Sequence, residues 1–226
     1  KIEHDAIAAG APNDHIPLAD SGKGALAYAQ AVIVYLAFVI DKIADYNSSL
    51  CHWQPGGGKA ANTFNRQALP MVWDYAEGNP FCDSSGSFNN MQTWVVKSIK
   101  EFPLQSKVGV VRQFDAQSDN GMRNIIVSTD PPYYDNIGYA DLSDYFYVWM
   151  RRSLRNTYPQ VFSTMLVPKT EELIATPYRD NRGVDGARDF FELGMLQAFR
   201  QINGYTRNDV PVTVYYAFKQ SETETE

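Results

Sequence analysis

Two consecutive prolines placed directly after a short β-branched run constrain this chain more than any other feature. Ile125, Ile126, Val127 and Thr129 favour extended backbone, whereas Pro131 and Pro132 each lock φ and lack a backbone donor. The residue ahead of a proline is itself pushed out of the helical region, so neither a helix nor an inner strand runs through Asp130-Pro131-Pro132. The expectation is a strand that ends at Asp130, short and apolar enough to belong to a sheet covered on both faces. In open parallel sheets ligands collect outside the carboxyl ends of the strands, and Asp130 to Tyr133 falls at that edge.

Hydrophobic periodicity predicts helices over 25–46, 88–102, 141–157 and 186–202, and further strands over 107–114 and 212–218. Residues 63–76, with Pro70 among Phe64, Leu69 and Trp73, predict two short helical pieces that meet at the proline. The apolar run over 25–40 is interrupted by Tyr28, Gln30 and Tyr35 and ends in Asp41-Lys42. It reads as a largely buried helix, too short and too polar to cross a bilayer, and no membrane partner is expected. After residue 106 the order strand, strand, helix, helix, strand predicts part of an α/β sheet. The fold class expected is therefore α/β, a partial Rossmann-like sheet over 107–226 preceded by a mainly helical accessory region over 1–106.

Hydrophobic residues make up 44% of the 226, enough to bury a core, and the net charge of -6 argues against a surface that grips polyphosphate everywhere. A local basic cluster, Arg151, Arg152 and Arg155, comes late in the 141–157 helix, where it also suits the negative carbonyl end of the helix dipole. Two cysteines, Cys51 and Cys82, exclude a disulfide framework and a four-thiolate zinc site, and Cys51-His52 would need His4 or His15 to hold a metal, so none is expected. Such usage suits a reducing cytoplasm. The polar, mixed-charge opening to residue 11 does not read as a secretory leader. The sequence Gly56-Gly57-Gly58-Lys59 departs from a phosphate loop in spacing, and Ala60 stands where Ser or Thr is needed, so it reads as a surface loop.

An exocyclic base amine is a poor nucleophile because its lone pair is delocalised into the ring, and it becomes positive when alkylated. Two acceptors aimed at its hydrogens favour release of the lone pair and stabilise the developing charge. Asp130 supplies a carboxylate, and the Pro131 carbonyl, held by the paired prolines, supplies a second oxygen. Tyr133 is available to stack on an extruded base, with Tyr134 as a second aromatic wall. The same residues also make an ordinary turn with Tyr133 packed on a core, and spacing alone leaves both readings open.

Residues 128–146 (STDPPYYDNIGYADLSDYF) and 148–152 (VWMRR) resemble a family of large adenine-specific DNA methyltransferases. Further matching stretches are 62–74 (NTFNRQALPMVWD), 79–81 (NPF), 166–173 (LVPKTEEL) and 214–219 (VYYAFK), so the resemblance covers almost the whole chain. It implies an S-adenosylmethionine-dependent enzyme that methylates adenine N6 in DNA, with the target adenine flipped from the duplex. By the resemblance the catalytic motif falls on Asp130, Pro131, Pro132 and Tyr133. Phe114 and Asp115 correspond to the contact with the adenosine part of the cofactor, although a carboxylate capping a turn before Ala116 explains Asp115 nearly as well. Tyr134, Asn136 and Tyr139 are expected along the substrate channel. Asp141 and Asp144 are expected along the same channel, although Asp144 equally caps or solvates its helix, and Lys169, Glu171 and Glu172 receive no step.

One departure matters. The family's glycine-rich Phe-x-Gly-x-Gly cofactor loop is absent, and Gly56 to Gly58 do not replace it. The expectation is that residues before Lys1 hold the missing half of the sheet, and that this piece alone binds S-adenosylmethionine weakly or not at all. Arg179, Arg182 and Arg188 sit in a polar stretch suited either to touching phosphate or to plain solvation. Related motifs also serve RNA and protein amides, and the missing loop favours a third reading, a non-catalytic nucleic-acid recognition or scaffold domain.

Overall fold

The computed structural model describes residues 1–73, 76–103, 107, 109–135 and 137–216, and its internal contacts divide the chain into two units. The first comprises Lys1–Ser106 and Asp141–Val167, the second Lys107–Ala140 and Pro168–Glu226. The stretch from Asp141 to Val167, read from sequence with the second region, groups with the first because Tyr147, Leu154 and Phe162 bury against Ala37.

The first unit is built on helices. Helix α1 spans Ile2–Ala8 and α2 spans Ala25–Tyr46, the 22 residues expected. No Gly, Pro or charge interrupts α2 before Asp41, and Asn47 closes it by donating Nδ2 to the Ile43 and Gly86 carbonyls. At this length, with a mean hydropathy of 1.7 over an 18-residue window, α2 meets the size and composition of a bilayer span, contrary to the expectation that it is too short and too polar. Within its unit it is the central helix. Ala37 joins Tyr147, Leu154 and Phe162 in one cluster, and Val39 joins Met91 and Val95 in another.

Val95 and Met91 come from α3, Phe88–Lys100, whose first turn is capped by Ser87 accepting the Asn90 N–H. Lys97 and Lys100 occupy its last turn, where cations complement exposed carbonyls. The glycine-rich segment is more ordered than the surface loop expected. Strands β1 (Trp53–Gln54) and β2 (Lys59–Ala60) pair antiparallel across it, and Gly58 turns the corner at φ 57°, a left-handed conformation open to glycine. The two helical pieces expected over 63–76 do not form among the described residues. Asp45 at the end of α2 instead pins this stretch, its carbonyl accepting from Thr63 and its carboxylate from Asn62 and the Phe64 N–H.

In the second unit, β3 (Ser128–Thr129) pairs parallel with β4 (Thr213–Val214), with Ser128 opposite Thr213 and Thr129 opposite Val214. Ile125 forms a further parallel bridge with Thr206. Parallel neighbours need a crossover, and the return is made by helix α5, Val184–Tyr205, which ends just before that bridge. Helix α4, Tyr139–Leu154, begins in this unit and continues into the first. The core here gathers Leu173, Ala175, Ala187 and Phe191, with Tyr134 and Met195 against it. The strand expected over 107–114 is not formed by its described residues, and Val110 and Val111 are 79% and 96% exposed. A strand exists only with a hydrogen-bonded neighbour, and none of the described residues pairs with this stretch. Among the described residues the expected parallel sheet thus consists of β3 and β4; residues 217 and 218 of the last predicted strand lie outside them.

Candidate active site at the tip of β3

Parallel pairing brings the carboxyl ends of β3 and β4 to one edge of the second unit. The Tyr215 N–H donates to the Thr129 carbonyl at 2.8 Å, the last rung before Asp130. Beyond it the prolines end the ladder, and the chain leaves the strand as an exposed Asp130 followed by half-buried Pro131, Pro132 and Tyr133. The motif therefore stands at a surface, with its carboxylate outside the core.

The Tyr133 hydroxyl donates to Asp130 Oδ1 at 2.8 Å. Among the described residues Oδ2 of Asp130 and the carbonyl oxygen of Pro131 accept no hydrogen bond, so both retain acceptor capacity. The Tyr133 ring meets Tyr216 edge to face, with centroids 5.3 Å apart and planes inclined by 75°. Tyr216 also accepts the Tyr134 N–H on its hydroxyl at 3.1 Å.

Tyr134 turns the other way. Its ring lies edge-on to Phe191 at 5.2 Å, on the small core, and its carbonyl accepts the Ala175 N–H at 2.7 Å. The expected second aromatic wall is therefore a packing residue in this structure, and Tyr216 is the ring that faces Tyr133. Sequence reasoning missed Tyr216 as a site residue. The available signal was the strand predicted over 212–218, since parallel pairing with β3 must carry its end to the same edge. Tyr139 is 59% exposed in the first turn of α4, and Asn136 lies outside the described residues.

At Asp115 the structure shows the turn-closing arrangement that was one of its two expected roles. Asp115 Oδ1 accepts the Gln117 N–H at 2.9 Å and Oδ2 accepts the Ser118 hydroxyl at 3.0 Å, so the carboxylate closes a turn. Phe114 is exposed beside it, in a stretch that makes no strand. Each Asp115 oxygen takes one donor within the turn, and the exposed carboxylate keeps further acceptor capacity.

Asp144 accepts the Val167 N–H at 2.8 Å, a contact within the first unit. The three arginines of the polar stretch all have carboxylate partners: Arg179 with Glu172 at 2.8 Å, Arg182 with Asp189 at 3.0 Å and Arg188 with Asp185 at 3.2 Å. The Arg179 pair is shielded, whereas the Arg182 and Arg188 pairs lie at the surface, where such pairing is weak. No protein-family model, curated protein or solved structure matches the chain.

Proposed function

We propose that this chain carries the base-handling residues of an S-adenosylmethionine-dependent methyltransferase acting on adenine N6 in DNA, in a reducing cytoplasm. The observation that supports this reading most is the β3 tip itself, an exposed carboxylate beside a proline-held carbonyl with both oxygens able to accept and an aromatic ring at their side. An exocyclic amine has two hydrogens to donate and a flat ring to stack. Asp130 and the Pro131 carbonyl take the hydrogens, which draws the lone pair out of conjugation and spreads the positive charge that develops on nitrogen. Tyr133 takes the ring once the base has left its stack. No covalent intermediate on the protein is needed, because the reaction demands alignment above all. By the family resemblance Phe114 and Asp115 are assigned the adenosine contact of the methyl donor, with the acceptor capacity left on the Asp115 carboxylate taking the adenine amine.

The decisive experiment uses the full natural polypeptide with radiolabelled S-adenosylmethionine and duplex DNA. Asp130→Ala is expected to lower methyl transfer on the order of 10²-fold or more, the scale for loss of one preorganised electrostatic contact, while DNA binding is retained. Turnover equal to the wild type removes Asp130 from the mechanism. The second reading, a recognition domain without catalysis, draws support from the absent glycine-rich loop. DNA binding without transfer by the wild type would select it.

A further inference from the structure

The segment that follows the tip is strapped at both ends by one loop. At its start Ala175 holds the Tyr134 carbonyl, and at its end Glu172 Oε1 accepts the Ala140 N–H at 2.8 Å. Tyr134, directly after Tyr133, and Ala140 are thus both held by this loop. Glu172 is itself fixed, because Oε2 receives Arg179 Nη1 at 2.8 Å, and the same nitrogen reaches the Lys169 carbonyl at 3.2 Å. The Arg179 and Glu172 side chains are 19% and 13% exposed, in contrast to the surface pair Arg123 and Asp119, at 58% and 52%. A shielded pair whose carboxylate also holds a backbone N–H is weakened little by salt and tolerates loss of one partner badly.

We propose that Glu172 and Arg179 are positioning residues for the Asp130–Tyr133 tip, an inference that rests on the methyl-transfer reading above. Neither touches the base. Glu172 sets where the segment behind Tyr133 ends, Arg179 sets the Glu172 carboxylate, and the strap transmits that placement to the acceptors and the stacking ring. The resemblance gave Glu172 no step in the reaction; geometry gives it a part in alignment. Transfer at saturated carbon depends steeply on alignment, so slack in this segment is read as a loss of rate.

The test compares Glu172→Ala, Glu172→Gln and Arg179→Ala in the full natural polypeptide. Glu172→Gln removes the charge but keeps an oxygen for the Ala140 N–H, and so isolates the strap from the ion pair. Glu172→Ala is expected to lower kcat roughly 10- to 100-fold, the cost of misplacing reacting groups by about an ångström, with little change in KM for DNA. Glu172→Gln recovers most of that rate, and Arg179→Ala falls between them. Amide exchange over 134–140 rises in Glu172→Ala and returns toward wild type in Glu172→Gln. Unchanged kcat in Glu172→Ala, in a preparation whose wild type methylates DNA, overturns the inference and leaves the methyl-transfer reading standing. Equal losses in Glu172→Ala and Glu172→Gln, with exchange raised throughout the chain, also overturn it by showing general destabilisation. A wild type that transfers no methyl group overturns the reading and the inference together.

Discussion

Among the described residues the two units differ in the number of apolar clusters they bury, two in the first and one in the second, while both leave large apolar side chains in solvent. In the first, α2 serves two clusters at once, and Leu154 is only 2% exposed. In the second, one cluster lies under Tyr134; Val110, Val111, Ile126 and Tyr215 stand in solvent there, as Met71, Trp73 and Phe81 do in the first. Parallel strands are ordinarily covered on both faces, and here the pair β3 and β4 carries the residues assigned to chemistry with little of that cover. Stability is concentrated where packing is deepest, whereas reactive side chains need access. The contrast separates two kinds of substitution: those that cost folding and those that cost function.

Leu154→Ala gives the largest expected effect on folding, about 2 to 5 kcal/mol by denaturant unfolding, because it removes a fully buried side chain from the cluster around Ala37 and Tyr147. A loss below about 1 kcal/mol would show that this cluster does not carry the first unit. Tyr133→Ala is the opposite case. Capture of an extruded base, followed with a fluorescent adenine analogue at the target position, is expected to weaken by roughly 1 to 3 kcal/mol, while the unfolding midpoint barely moves. A drop in stability matching the drop in capture would make Tyr133 a packing residue and dissolve the contrast.

The smallest effect probes a flaw in the well-packed unit. Asp41 lies partly buried in α2, its Oδ1 has no hydrogen-bond partner among the described residues, and burial pushes its carboxyl up from 3.8 to about 6. A folded state that holds this proton more tightly than the unfolded chain gains stability from the group at low pH. That gain is lost as pH rises from about 4 through about 6. Asp41→Asn is expected to stabilise the protein above about pH 6 and to be nearly neutral at about pH 4, as measured by paired urea titrations. Partial solvent access keeps the difference small. A constant difference between the two proteins across that range would show that Asp41 does not titrate in it.

Much of the helical framework was legible in the sequence, for a local reason. Residues 25–46 carry their own signal in the absence of Gly, Pro and early charge, and 88–102 announces its cap at Ser87 and its basic end. The end of β3 was legible too, because Pro131 and Pro132 act on the backbone wherever they stand. What could not be read is long-range. Residues 107–114 have the composition of a strand and no partner among the described residues, which composition alone cannot reveal. Tyr216 meets Tyr133 only through a pairing between segments 85 positions apart, since Ser128 lies opposite Thr213. The strap formed by Glu172 and Arg179 likewise depends on a loop folding back to Tyr134 and Ala140. Asp115 was ambiguous from the start, and the turn geometry now accounts for its carboxylate.

Gly194 has a quieter consequence. A β-carbon at that position of α5 would overlap Cδ1 of Leu173 and crowd the amide oxygen of Gln117. Leu173 is itself buried in the small core, so it has little room to yield. The face of α5 at Gly194 therefore lies against the tip of the Leu173 side chain, in space that a β-carbon would claim. A side chain there would have to displace the Leu173 δ-methyl and the Gln117 amide, and whatever part of the clash they do not absorb would fall on the packing of Leu173 with Ala175 and Phe191. A position remote from the reacting groups thereby sets how closely the second unit can close on itself.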